Sequence, residues 1–237
     1  MQMVGFEYFH KLFDSASNLT VFDVGAHHGD SVNEFLTLFP NAQIFAFEPE
    51  SANFGILAQK FKISSKISLM NMAVGNKNIK TDFYRNNYSA TNSLLPINSV
   101  EINRWADSND FYQEAVLQVD QITIDKFCID RKIDIINILK LDIQGGELMA
   151  LEGASEMLSN QSIECLFCEV EFRQLYENQP LIWDISAYLM AKRYHLLNIV
   201  NPKVSDMGVL TWADAIFVND RLWQALASRH SAGKLIT

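Results

Sequence analysis

The sequence predicts an α/β fold: a seven-stranded, mostly parallel sheet with helices on both faces and one antiparallel strand near the C-terminus. Three observations carry that expectation. Short apolar runs alternate with amphipathic segments through short connections, the pattern of a parallel sheet covered on both sides. The run Ile135-Ile-Asn-Ile-Leu-Lys-Leu141 is almost continuously apolar, as befits a central strand buried on both faces. The last two apolar runs are joined by residues 201–207, too few for a helical crossover, so those strands should pair antiparallel.

Taken in order, the chain begins with an amphipathic helix within residues 1–18, with Phe6, Phe9, Leu12 and Phe13 on one face. Strands are expected over residues 19–24, 43–47, 67–74, 135–141, 163–170, 194–200 and 210–218. Between the first two, a helix over residues 31–39 opens with Ser31 and Glu34 at capping-box spacing. A helix over residues 146–158 places Leu148, Leu151, Ala154 and Leu158 along one stripe. Residues 83–119 break the rhythm; Arg85-Asn-Asn-Tyr-Ser-Ala-Thr-Asn-Ser93 is polar and rich in turn formers, so this insert should be loop, arching over the sheet edge as a lid. The tail from Ala225 to Ile236 lacks periodic strength, and its end should fray.

At 237 residues and 49% hydrophobic, the chain can bury one core and should form one domain. It carries no signal-like N-terminus and no apolar run of the roughly 20 residues that span a bilayer, so a cytoplasmic protein without a membrane span is expected. Cys128, Cys165 and Cys168 make an odd count, which fits reduced thiols. In Cys165-Leu-Phe-Cys168 the sulfurs stand three apart on a strand and face opposite ways, so they cannot share an ion. A formal net charge of −9 with no Lys/Arg run works against nucleic acid as substrate. Nothing in the sequence sets an oligomeric state.

The chemistry gathers at strand ends, where open parallel sheets bind their ligands. Val21-Phe-Asp-Val-Gly-Ala-His-His-Gly-Asp30 takes an apolar run into an acid and two glycines just where a helix should begin. Glu48 closes the next strand, 23 residues after Gly25, at roughly the spacing of a ribose-binding acid. Asp142 and Glu169 close two more strands. The glycines form Gly-x-x-x-Gly rather than the Gly-x-Gly-x-x-Gly of a dinucleotide loop, and Asp23 adds negative charge beside them. That combination suits a cationic cofactor, S-adenosylmethionine, whose ribose Glu48 could hold with both oxygens.

Asp23-Val-Gly-Ala-His-His-Gly29, Phe47-Glu-Pro49, Ala73-Val-Gly75, Thr91-Asn-Ser93, Lys140-Leu-Asp-Ile-Gln-Gly-Gly-Glu147 and Glu152-Gly-Ala154 together resemble, in order and spacing, the FkbM family of S-adenosylmethionine-dependent methyltransferases. The resemblance runs from about Leu19 to Val218. It implies a Rossmann-like methyltransferase fold and O-methyl transfer to a hydroxyl of a small molecule or glycan, with a sugar as the leading acceptor. It assigns Asp23, Gly25 and Gly29 to the methionine end of the cofactor, Glu48 to its ribose, Ala73 to the surroundings of adenine, Ala26 and His27 to cofactor contact, and Asp142 to the reaction centre, where it also contacts the cofactor. His27 stands where the family usually has Asn, and Gln144 where it often has Glu. An amide at 144 can serve neither as base nor as charged metal ligand.

A sugar hydroxyl needs its proton taken, and Asp142 or Glu169 is the expected base, with His27 as competitor. Lys140, two residues before Asp142 on the same strand, could hold a substrate oxygen or tune that acid; it could equally be a buried ion pair without chemistry. Asn92, Ser93 and Tyr88 are candidate acceptor contacts, and Tyr84 and Trp105 could stack on a planar acceptor or anchor the insert. A divalent cation on Asp142, Glu169 and a neighbour is allowed by ligand type but not favoured. Two rival functions share the fold: an NAD-dependent oxidoreductase, which would want the missing third glycine, and a non-catalytic nucleotide-binding module.

Overall fold

The computed structural model describes residues 5–105 and 111–231. The elements run in the order α1 (Phe9–Leu12), β1 (Thr20–Val24), α2 (Asp30–Leu38), β2 (Gln43–Phe47), α3 (Ser51–Phe61), β3 (Ile67–Met70), β4 (Ala73–Val74), β5 (Ile79–Asn86), α4 (Ser99–Trp105) and β6 (Gln113–Ile122). They continue with α5 (Ile124–Arg131), β7 (Ile136–Leu141), α6 (Glu147–Glu152), α7 (Ser155–Ser159), β8 (Ile163–Glu171), α8 (Ile182–Ala191), β9 (Tyr194–Val204), β10 (Leu210–Asn219) and α9 (Asp220–Ser231).

Seven strands form the main sheet in the order β3-β2-β1-β7-β8-β10-β9. The pairings β2/β3, β1/β2, β1/β7 and β7/β8 are parallel, while β10 runs antiparallel to both neighbours. β7 is the middle strand, and alternate residues feed opposite layers. Phe22, Leu139, Leu166 and Cys168 pack into one core, and Val21, Ile138, Cys165 and Phe167 into the other. Cys165 and Cys168 thus lie on opposite faces as free, buried thiols. The chain winds outward from β1 to β3 and then returns to place β7 on the other side of β1. That reversal opens a crevice at the carboxyl ends of β1 and β7, where ligands bind in sheets of this kind.

Several local expectations are corrected. The stretch 67–74 is two strands: β3 ends at Met70, and β4 joins a separate three-stranded sheet, β4-β6-β5. Asn71 marks the break, its amide donating to the carbonyls of Glu48 and Pro49. The insert is therefore bounded by strands, its first residues belonging to β5 and its last to β6, with α4 between them, while residues 87–98 are irregular, as expected, apart from a 3-10 turn at Ser89–Thr91. Its ladder is mostly exposed and closes only a small core of Ala73, Phe83 and Val119, so polar residues dominate the strands and blur their signal.

The N-terminal helix is short, a 3-10 turn over Phe6–Tyr8 followed by α1, though Phe6, Phe9 and Leu12 are buried as expected. The capping box before α2 does not form. Gly29, left-handed at φ 80°, is the N-cap, and the Ser31 hydroxyl donates instead to the Asp23 carboxylate. The helix expected over 146–158 breaks at Gly153, where a Cβ would sit 2.0 Å from the Gly75 carbonyl. The C-terminal stretch forms α9, with Leu222, Trp223 and Leu226 packed on the core; residues 232–237, where fraying was expected, lie outside the described residues, as does the Trp105 side chain. Among the described residues no helix is long and apolar enough to cross a membrane.

Candidate active site

The register of the central strands sets the site. Val24 pairs with both Phe47 and Leu141, so Gly25, Glu48 and Asp142 leave their strands at one level. The backbone N–H groups of Gly25 and Ala26 donate to the Phe47 carbonyl at 3.1 and 3.0 Å, and Asp142 N–H donates to Val24 at 3.2 Å. Gly25 adopts φ +82°, and a Cβ there would lie 1.9 Å from the Asp142 carbonyl oxygen. Only glycine lets the two chain segments approach so closely.

Beneath this loop is a buried ionic clamp. Asp23 and Lys140 stand side by side on paired strands, with Nζ 3.3 Å from Asp23 Oδ1, 3.4 Å from Asp142 Oδ2 and 3.5 Å from the Gly25 carbonyl. Lys140 is 2% exposed and Asp23 fully buried. Burial opposes the charge of Lys140, but the Asp23 and Asp142 carboxylates outweigh it and hold the ammonium above its ordinary range. Asp23 therefore supports the loop from below, outside the cavity lining. Ala26 and Gly29 likewise shape the loop without lining the cavity.

A cavity of about 450 Å³ opens above the loop, within the range of cofactor and ligand sites. Gly25, His27, Glu48, Ala73 and Asp142 line it. Glu48 is 5% exposed; its Oε2 accepts from His27 N–H at 3.0 Å and its Oε1 from Glu50 N–H at 2.9 Å. Burial pushes its carboxyl up to about 7, against those two N–H donors. The Asn53 side chain also favours its charge, and a carboxylate's roughly four lone-pair sites still leave acceptor capacity for a ligand. His27, at φ 46°, bonds through Nε2 to the Ser89 hydroxyl at 2.8 Å and stacks on His28. Burial and His28 hold its imidazole below its usual value.

The insert forms the roof. Tyr88, Ser89, Thr91 and Asn92 line the cavity, whereas Ser93 does not. The Ser93 hydroxyl donates to the Gln144 carbonyl at 2.6 Å and accepts from Leu95 N–H, fastening the roof to the turn after β7. Asn92 accepts Asn86 N–H on Oδ1, while its buried Nδ2 has no partner among the described residues, a donor available to a ligand.

The far wall comes from β7, β8 and β10. Gln144, left-handed at φ 56°, donates its amide to Asp142 Oδ1 at 3.1 Å and Glu169 Oε2 at 2.7 Å. Its Oε1 lies 3.1 Å from the Tyr176 hydroxyl, which also bonds the Thr91 carbonyl at 2.7 Å. One amide thus spaces the two acids. Burial pushes Glu169 well above the usual carboxylate range, reinforced by Asp142, Glu171, Glu147 and Asp214. Glu147, pushed to about 7 chiefly by burial, closes the turn by accepting Ile143 N–H at 2.8 Å.

Glu171, Trp212, Leu175 and Phe111 also line the cavity and were missed in the sequence. Glu171 had a usable signal, since it lies two residues beyond Glu169 on one strand and shares its face. Among the described residues no three His, Cys, Asp or Glu side chains are grouped to hold a metal ion.

A family model described as the methyltransferase FkbM domain matches residues 23–196. The chain is similar to the 2-O-methyltransferase NoeI of Sinorhizobium fredii (strain NBRC 101917 / NGR234), with 23% identity over 167 residues that span 67% of this chain and 66% of the relative, just under two thirds of its length. Among solved structures, the precorrin-6y C5,15-methyltransferase of Geobacter metallireducens GS-15 aligns at a TM-score of 0.48 and 11% identity, over 89% of this chain and 85% of that one. The magnesium protoporphyrin IX methyltransferase ChlM of Synechocystis PCC 6803 aligns at 0.47 and 11% identity, over 87% and 72%.

Proposed function

Because the chain belongs to the FkbM methyltransferase domain family, we propose that it transfers a methyl group from S-adenosylmethionine to a hydroxyl of a small molecule or glycan, with a sugar as the leading acceptor. One observation carries this reading: Glu48, Gly25 and Asp142 converge from three adjacent strand ends on one cavity. The match to a relative named as a 2-O-methyltransferase supports oxygen as the atom methylated.

The residues present fit the cofactor. The glycine cradle at residue 25 leaves backbone room that a Cβ would fill, Glu48 offers spare acceptor sites to a diol, and Ala73 leaves a small apolar surface beside β4 for a base. When bound, S-adenosylmethionine supplies a methyl carbon already activated by the positive sulfur. What remains for the protein is to aim the acceptor oxygen and take its proton.

Asp142, part exposed on the cavity, is the group we assign to hold that proton. Lys140 fixes its Oδ2 side and Gln144 its Oδ1 side, so the carboxylate is aimed before substrate arrives. Glu169, in the more strongly desolvated position, is the reserve proton site behind Gln144. Lys140 acts on Asp142 and Asp23 rather than on substrate. His27 serves the cofactor loop through Glu48 and Ser89, and Asn92 and Tyr88 contact the acceptor from the roof.

An acidic wall and a net charge of −9 favour a small acceptor over nucleic acid. Three buried free thiols suit a reducing, cytoplasmic setting. Incubating the protein with methyl-labelled cofactor and a metabolite and glycan extract tests the reading. Label should appear in an alkali-stable ether on a small molecule or sugar, and Asp142→Asn should slow transfer at least tenfold while S-adenosylhomocysteine still binds. Label entering RNA or protein, or full turnover in the variant, would overturn it.

A further inference from the structure

We infer that the acceptor end of the cavity binds an ammonium group at Glu171, beside Glu169, so that the acceptor is an amine-bearing alcohol such as an amino sugar. The inference rests on the methyltransferase reading and adds the class of acceptor.

The first observation is where the carboxylates stand. Glu171 pairs with Trp212, and Glu169 with Asp214, across the β8/β10 ladder. All four side chains therefore project from one face at the carboxyl end of β8. Glu169, Glu171 and Trp212 open on the cavity on the side away from Glu48.

The second is what the wall lacks. Glu171 is 4% exposed, yet among the described residues its buried Oε2 accepts no well-formed hydrogen bond. The Gln179 side chain is the donor that favours its charge, and among the described residues that amide nitrogen likewise makes no well-formed hydrogen bond. A buried carboxylate in this condition is costly unless a ligand completes it.

Among the described residues no lysine reaches Glu171 as an ion-pair partner. The charged groups acting on Glu169 are carboxylates, namely Asp142, Glu171, Glu147 and Asp214. Lys140 is committed to Asp23 and Asp142, and Lys203 lies over the Trp212 ring, 5.7 Å from its centre. Burial and neighbouring acids hold Glu171 well above the usual carboxylate range, the condition a cationic ligand would relieve. A divalent ion would need several grouped ligands, and the described residues offer no such group. An ammonium needs one or two carboxylates and an apolar surround, which Trp212, Leu175 and Phe111 provide.

The test uses protein saturated with S-adenosylhomocysteine, titrated calorimetrically with sets of methyl glycosides that carry an amine, an acetamide or a hydroxyl at the same carbon. In at least one set the amine should bind about tenfold tighter than both neutral counterparts, worth roughly 1.4 kcal/mol. In Glu171→Gln that advantage should collapse while affinity for S-adenosylhomocysteine stays unchanged. The inference fails if no amine outbinds its neutral counterparts, if the preference survives Glu171→Gln, or if magnesium alone binds in a Glu171-dependent way. Failure of S-adenosylhomocysteine to bind would instead overturn the methyltransferase reading on which the inference rests.

Discussion

Replacing Lys140 with Met isolates the clamp beneath the cofactor loop. The ammonium is 2% exposed and lies within 3.3–3.5 Å of Asp23, Asp142 and the Gly25 carbonyl. Methionine fills similar volume, so the loss is electrostatic. Asp142, with a side chain 39% exposed, can turn to solvent and contributes little to the cost. Asp23 cannot, being fully buried with the Ser31 hydroxyl as its other partner. Breaking a buried pair from one side costs about 3–5 kcal/mol, which in a chain of this size lowers Tm by about 6–20 °C.

The lysine is held charged above its ordinary range, so its stabilisation is fully present below the unfolded value of about 10.4 and should not vary between about pH 6 and 9. Pairing Lys140→Met with Asp23→Asn removes the stranded charge and should restore at least half the loss. Urea midpoints and thermal melts of the single and double variants make the comparison. A single variant as stable as the parent, or a double variant no better than the single, would refute the reasoning.

Two further outcomes follow from the acids and their spacer. Glu48 and Glu147 are pushed to about 7 and Asp214 to about 6, each mainly by burial, so the folded state holds protons that the unfolded chain releases near 4.5 or 3.8. Their stabilising contribution is complete below those unfolded values and is lost as pH rises through about 6–7, so Tm should fall between pH 5 and 8; a rise would contradict the burial of these groups. Replacing Gln144 with Leu strips a donor from both Asp142 and Glu169 and should cost about 2–4 kcal/mol, from roughly 1.5–3 for a bond to a carboxylate and roughly 0.5–1.5 for one to a neutral group such as Glu169, which burial holds well above the usual carboxylate range. It should also slow methyl transfer more than it weakens cofactor binding, and equal losses in both would place Gln144 in the cofactor site instead.

The elements legible in the sequence were those whose burial writes an apolar pattern. β7 and its neighbours are buried on both faces, and each could be placed within a residue or two from its apolar run. The Gly25 loop and Glu48 were legible because close approach at the switch point admits few residue types. β5 and β6 were not, because a ladder that buries little beyond Phe83 and Val119 leaves mostly polar letters. Ser31 misled for a related reason: its spacing suits a helix cap, but β1 brings a buried carboxylate within reach of its hydroxyl, and the tertiary bond wins. Tyr176 stayed hidden because its importance lies in partners more than thirty residues away, Thr91 and Gln144.

Calorimetric titration of the protein with S-adenosylhomocysteine and, separately, with NAD decides between a methyltransferase and a dinucleotide site. One molecule of S-adenosylhomocysteine should bind per chain, weakened at least tenfold by Glu48→Ala, with no binding of NAD. Binding of NAD without S-adenosylhomocysteine, or affinity for S-adenosylhomocysteine unchanged in Glu48→Ala, would contradict that expectation.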